Sequence, residues 1–368
     1  MRTSLFTTLL ALLPLAPLAA EEAKVPFYPD KSRLLVYLDS AGGEHPIIAA
    51  AQWENRREHI LANMQLVMGP LPDVSKKVPL AVETQETVDL GKFVRKKILY
   101  CPEPGDLVPA YLFIPKGLQG KVPAVLCLHQ TIAIGKGEPA GLDPGAQKPY
   151  ARELAERGYV TLAPDYPNYG EYKFDPYARG YASATMKGIW NHVRAVDLLQ
   201  SLPEVDPERI AVIGHSLGGH NAMFVAVFDR RIKAIVSSCG FNAFGKYYGG
   251  DLSGWSHKGY MPRIASAYGK DPKRMPFDFT EIVGALAPRP FFVNAPLGDD
   301  NFEKSGVDGC LRAARPVYEL LGGTGNLVAV HPNIGHGFPP EIRRAAYEFL
   351  DRALKHRQVI PTIMPGGV

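Results

Sequence analysis

The run Arg209-Ile210-Ala211-Val212-Ile213-Gly214-His215-Ser216-Leu217-Gly218-Gly219-His220 places a serine between glycines two residues to either side. A β-branched apolar strand precedes it, and a helical stretch, Asn221 to Phe228, follows at once. This is the setting of a nucleophile elbow. On so tight a turn a Cβ two residues from the serine would collide with strand or helix. The turn also aims Ser216 Oγ out of the sheet and leaves the Leu217 N–H at a helix N-terminus, able to donate to a developing oxyanion. The chemistry implied is nucleophilic attack on an acyl carbon. A serine that merely caps the helix is the competing reading, and it leaves the downstream histidine and aspartates unexplained.

A serine hydroxyl needs a base within reach. His336, in Pro332-Asn333-Ile334-Gly335-His336-Gly337-Phe338-Pro339, lies between the last predicted strand and the last helix, with glycines that let its loop fold back. His331, at a strand end, reads as structural. His215 and His220 are too close to Ser216 in sequence to serve as base and are read as pocket residues. The base needs a carboxylate, and Leu297-Gly298-Asp299-Asp300-Asn301-Phe302 follows the strand 291–294. Asp300 is the expected acid, with a large apolar side chain two residues on, and Asp299 is the alternative. Gly240-Phe241-Asn242, after the preceding strand, offers no carboxylate, while Asp165 and Asp206 read as turn residues. The second oxyanion donor is expected from Leu128-His129-Gln130-Thr131-Ile132, at the Thr131 N–H or else that of Gln130, with His129 supporting it.

The elements that must position these residues are legible as alternation. Strands are predicted at 87–89, 93–100 and 108–114, with Glu103-Pro104-Gly105-Asp106 as a turn, and at 124–128, 159–163, 210–213, 232–237, 291–294 and 327–330. Helices are predicted over 150–157, 181–200, 307–321 and 340–355. The fold class is therefore α/β, with a mostly parallel central sheet, helices on both faces and active loops at the strand C-terminal ends. An aromatic-rich insertion after the sixth strand, residues 241–280, carries Phe241, Phe244, Tyr247, Tyr248, Trp255, Tyr260 and Tyr268. It is expected to form a lid or pocket wall over the elbow; packing of a peripheral helix is the alternative.

Residues 1–20 read as a secretory signal, with Arg2, an uncharged apolar stretch and Leu18-Ala19-Ala20 before Glu21-Glu22. Residues 21–85 form a lead-in with one amphipathic helix, 52–68. The hydrolytic domain spans 86–358, and 359–368 is a tail. The chain has 368 residues, 46% apolar and 21% charged, with 41 basic against 37 acidic side chains and a net charge of +4. Nothing concentrates that charge, which excludes a nucleic-acid or polybasic membrane surface. Of four cysteines, Cys127 and Cys239 read as core residues, and the spacing of the set suits no metal.

These motifs resemble the α/β-hydrolase superfamily in the order Ser216, Asp300, His336. More narrowly the chain is similar to the secreted bacterial branch near acetyl xylan esterases, dienelactone hydrolases and the catalytic domains of prolyl oligopeptidases. The resemblance rests on Val108-Pro109-Ala110-Tyr111-Leu112, Leu128-His129, Val205-Asp206-Pro207-Glu208-Arg209-Ile210, the elbow, Ala287-Pro288-Arg289-Pro290 and Gly335-His336-Gly337, from about residue 90 to 355. Gln130, where these families often have glycine, and the doubled aspartate depart from it. The resemblance implies a secreted or periplasmic serine esterase forming an acyl-serine, with no metal or organic cofactor. A short-chain (C2–C4) or carbohydrate-linked ester is the expected substrate, and neither a nucleic-acid partner nor a stable membrane anchor is expected. The alternatives are a serine peptidase of the prolyl oligopeptidase kind, for which the lead-in is too short to supply a gating domain, and a non-catalytic binding protein on the same scaffold.

Overall fold

The computed structural model describes residues 25–142 and 147–357. The expected signal at 1–20 and the tail at 359–368 lie outside them. A small hairpin, β1 (Val36–Leu38) and β2 (Glu44–Pro46), leads into helix α1 (Trp53–Met68). Then come β3 (Glu83–Asp89), β4 (Phe93–Tyr100), β5 (Val108–Pro115), β6 (Val122–Leu128), α2 (Tyr150–Glu156), β7 (Val160–Pro164) and α3 (Ala184–Ser201). The second half runs β8 (Val205–His215), α4 (Leu217–Phe228), β9 (Ile232–Ser238), α5 (Arg263–Ser266), α6 (Phe279–Leu286), β10 (Phe291–Asn294), α7 (Lys304–Leu320), β11 (Leu327–Val330) and α8 (Pro340–Ala353).

Strands β3 to β11 form a nine-stranded sheet in the order β11-β10-β9-β8-β6-β7-β5-β4-β3. Pairings from β7 through β6 to β11 are parallel, while β3, β4 and β5 join in antiparallel steps. The insertion follows β9, the seventh strand of this sheet in chain order and not the sixth, the expected strand at 87–89 being counted as β3.

Period-two alternation separates the two faces. On β6, Ala124, Leu126 and Leu128 join a cluster with Ile60 and Met64 of α1, Ile189 of α3 and Val283 of α6. Val125 and Cys127 point the other way, onto Leu154 of α2 and Leu350 of α8. Both faces of β6 are therefore dry, which is why its sequence is a continuous apolar run. Helix α3 starts at Ala184 rather than 181 because Ser183 caps it, its hydroxyl accepting the Met186 N–H at 2.9 Å.

The lead-in packs into the same core, pinned by an ion pair that no periodicity reveals. Arg56 of α1 donates to the Glu281 carboxylate at the start of α6, and both side chains are fully buried. The Arg56 guanidinium also stacks 3.2 Å from the centre of the Tyr28 ring. Removing one partner leaves the other charge stranded in a dry site. Arg56→Ala is expected to lower stability by about 3–5 kcal/mol in urea titrations, and a loss below about 1 kcal/mol would show that the pair is solvated.

Candidate active site

The parallel strands end on one edge of the sheet, and the candidate residues sit there because each lies in the loop just after its strand. Thr131 follows β6, Ser216 follows β8, Asp299 and Asp300 follow β10, and His336 follows β11. The elbow is drawn tight. Ser216 has φ 53° and ψ −117°, a left-handed conformation that a side chain adopts only at a cost. Its N–H donates to Ser238 O at 2.8 Å, and its carbonyl accepts from Gly219 N at 2.8 Å. A Cβ at Gly214 would lie 2.1 Å from Gly218 O, and one at Gly218 only 1.9 Å from Leu128 O. The second contact shows the N-terminus of α4 pressed against the loop after β6, so that only glycine fits at 218.

His336 arrives over the elbow from the far end of the chain. Its ring centre lies 4.9 Å from that of His215, the residue before Ser216, and 5.8 Å from Phe302. Its Nδ1 is 3.0 Å from each carboxylate oxygen of Asp299, so Nε2 is the ring nitrogen left for another partner.

The carboxylate partner is thus Asp299 and not the expected Asp300, whose side chain is exposed. The turn decides between them. Asp299 Oδ1 accepts the N–H groups of Asn301 (2.9 Å) and Phe302 (3.1 Å), so this side chain closes the loop inward and its neighbour must face out. Burial alone would raise the Asp299 pKa. The hydrogen bond and charge of His336, with the Phe302 N–H, outweigh it and hold the carboxyl below its ordinary range. Asp299 is therefore anionic at neutral pH.

The other histidines fall where their chemistry is silent. His215 and His220, expected to line the pocket, are buried beneath it. His215 Nδ1 meets Ser238 Oγ at 2.9 Å. His220 packs among Phe224, Trp255 and Tyr260. Burial pushes its pKa down to about 3, and burial, with the Lys148 and His336 charges, drives that of His215 well down. Neither can hold a proton near neutrality. His331 bonds to Ala295 O at 2.8 Å, a structural contact.

Sequence reasoning missed what supports His336. The Asn294 amide, at the end of β10, donates to Ser238 Oγ (2.8 Å) and to Gly337 O (2.9 Å), tying the loop just after His336 to β9. Cys239 is a second unforeseen neighbour. Among the described residues its sulfur, an Asp299 oxygen and a His336 nitrogen all lie within 4.8 Å of one another. Burial foremost, then the Asp299 charge, pushes the thiol pKa well up, so a neutral S–H faces the carboxylate. The asparagine-ended strand was readable; the approach of Cys239 to a loop sixty residues away was not. All four cysteines are free.

The insertion is mainly a packed layer. Phe241, Phe244, Tyr247 and Trp255 are buried, stacking on one another and on Phe279 and Phe302. Tyr260 reaches the site, its hydroxyl 3.2 Å from Thr131 Oγ1. On the other side of His336, a cleft of about 460 Å³ is walled by Lys148, Ile334, Phe338 and Arg343.

The chain is similar to known hydrolases and esterases. Residues 168–322, which hold Ser216 and Asp299 but not His336, match the family described as glucuronyl esterase of fungi. YtaP of Bacillus subtilis, named as a hydrolase, is 28% identical over 302 residues, 78% of this chain and 96% of its own. A carbohydrate esterase from an unknown prokaryotic organism is 23% identical over 364 residues, covering 84% of this chain and 82% of the other. Among solved structures, a glucuronoyl esterase from Solibacter usitatus superposes with a TM-score of 0.68 at 20% identity, covering 91% of this chain and 100% of that one. By its sheet order, its strained elbow serine and these likenesses, the chain has the α/β-hydrolase fold and is a carboxylic ester hydrolase.

Proposed function

We propose that this chain hydrolyses carbohydrate-linked carboxylic esters through an acyl-serine intermediate on Ser216. The observation that carries the reading is the buried, anionic Asp299 bonded to His336 Nδ1 beside the elbow. Asp299 fixes the tautomer of His336, whose Nε2 takes the Ser216 proton as Oγ attacks the acyl carbon. The carbonyl electron pair moves onto oxygen and is met by the Leu217 N–H and by a second N–H, that of Thr131 or Gln130. Collapse of this intermediate expels the alcohol, which takes the proton from His336. Water, deprotonated by the same nitrogen, then adds to the acyl carbon, and cleavage of the bond to Ser216 Oγ releases the acid as His336 returns the proton to Oγ.

The match to glucuronyl esterase, the Solibacter likeness and the carbohydrate esterase relative support a sugar-borne ester, with a uronic acid ester as the first substrate to try. The apolar, charge-free stretch at 5–18 supports export. Among the described residues no helix is long and apolar enough to cross a membrane.

The test is a panel on the purified protein: alkyl esters of glucuronic acid, acetylated xylan, feruloyl esters, p-nitrophenyl esters from C2 to C10, and a proline p-nitroanilide. Turnover is expected on the sugar-linked and C2–C4 esters and not on the anilide. Activity confined to the anilide or to C10 esters would overturn the reading. A fluorophosphonate that failed to label Ser216 would overturn the mechanism.

A further inference from the structure

The loop after β6 presents Gln130 where a tight oxyanion turn has an easier solution in glycine, and the structure gives that side chain a fixed partner. Gln130 Nε2 donates to Glu138 Oε1 at 2.6 Å. Glu138 is buried, and the Lys148 ammonium stands 3.7 Å from the same oxygen, compensating its charge. The Gln130 backbone is held as firmly. His129 Nε2 accepts the Tyr166 N–H at 3.0 Å, so the proton of its ring resides on Nδ1, which lies 2.6 Å from Gln130 O and donates to it. Just beyond, the loop is pinned again: Asp165 accepts the Lys136 N–H at 2.7 Å and its ammonium at 2.8 Å.

A planar trans peptide points its C=O and the next N–H in opposite directions. With the Gln130 carbonyl turned onto the buried His129 ring, the Thr131 N–H is turned away from that ring. The contact between Leu128 O and the Gly218 position brings this loop up against the N-terminus of α4, where the Leu217 N–H lies.

We propose that Gln130 is the positioning residue of the oxyanion hole. Clamped at its amide by Glu138 and at its carbonyl by His129, it orients the Thr131 N–H toward the oxygen that becomes negative when Ser216 adds to the ester. The inference rests on the acyl-serine reading above and extends it from which atoms react to what holds the electrophilic site rigid. Rigidity matters because a donor that must reorient during the reaction forfeits most of its stabilisation.

Gln130→Ala is the direct test, with Glu138→Gln as the conservative partner, since its amide oxygen can still accept from Gln130. In Gln130→Ala, kcat should fall about 10–100-fold with KM within about two-fold. This loss is smaller than the ~10²–10³ of deleting a donor outright. Affinity for a boronic acid that forms a tetrahedral adduct on Ser216 should fall by the same factor as kcat/KM, a correlation that a merely structural role would not produce. Glu138→Gln should retain most of the activity and of the boronate affinity. A Gln130→Ala enzyme with wild-type kcat overturns the proposal, as does one whose boronate affinity is unchanged while kcat falls. If Gln130→Ala does not fold, Glu138→Gln and Glu138→Ala decide it, because the proposal requires only the second to lose boronate affinity. The underlying reading fails separately, through absence of fluorophosphonate labelling in the unmodified chain.

Discussion

Ser216→Ala is expected to lose about 10⁴–10⁶ of kcat on any ester the unmodified chain hydrolyses, with the residue left by the oxyanion donors and binding alone. The same position carries a stability signature that a surface serine would lack. With φ 53° and ψ −117°, Ser216 occupies a region that costs on the order of 1–3 kcal/mol for any residue with a Cβ. Alanine keeps that cost, so the alanine variant should unfold at nearly the same urea concentration as the parent. Ser216→Gly removes it and should gain about 1 kcal/mol, less the added chain entropy of glycine. An inactive but stabilised glycine variant would show that the fold bears strain in order to aim one hydroxyl. Activity of Ser216→Ala within about a hundred-fold of the parent would dismiss the serine as nucleophile.

The second large effect separates two adjacent aspartates. Asp299→Asn should lower kcat by about 10⁴, whereas Asp300→Asn should leave it within about two-fold, as expected of an exposed side chain clear of the special contacts. The asparagine at 299 can still accept the Asn301 and Phe302 N–H groups through its oxygen, so the loop is preserved. Its amide then faces His336 Nδ1 as a donor and forces the proton of the ring onto Nε2, the nitrogen that must receive the serine proton. The loss should therefore appear in kcat with little change in unfolding midpoint. Equal effects at 299 and 300 would contradict the geometry in which one carboxylate is buried and the other exposed.

Which loop brings a carboxylate to His336 was readable, because a strand pattern followed by Gly-Asp-Asp announces a turn at the C-terminal edge of the sheet. Which aspartate turns inward was not. Both have the same chemistry and differ by one position, and the choice follows from two N–H groups three-dimensionally available to Asp299 alone. The insertion repeats the lesson. Its aromatics were legible as important, but composition cannot distinguish rings that pack on Phe279 and Phe302 from rings that face a ligand. Trp255 does the first, whereas the Tyr260 hydroxyl lies 3.2 Å from Thr131 Oγ1 in the loop after β6. Gln130 looked like a departure from pattern until Glu138, eight residues on, was brought beneath it.

Local chain chemistry by itself determined the elements and their order: alternating apolar runs make strands, Gly214 leaves room for the turn back to Gly218, and Ser183 starts its helix. Such features are set by contacts within a few residues, so linear order contains them. Only the tertiary structure decided which buried polar groups meet, as Arg56 with Glu281, Cys239 with Asp299, and Asn294 with the loop of His336. A buried polar atom must find a partner or lose its solvation. That partner is supplied by whichever segment the packing of the sheet and helices brings alongside, at a sequence separation that no local pattern records.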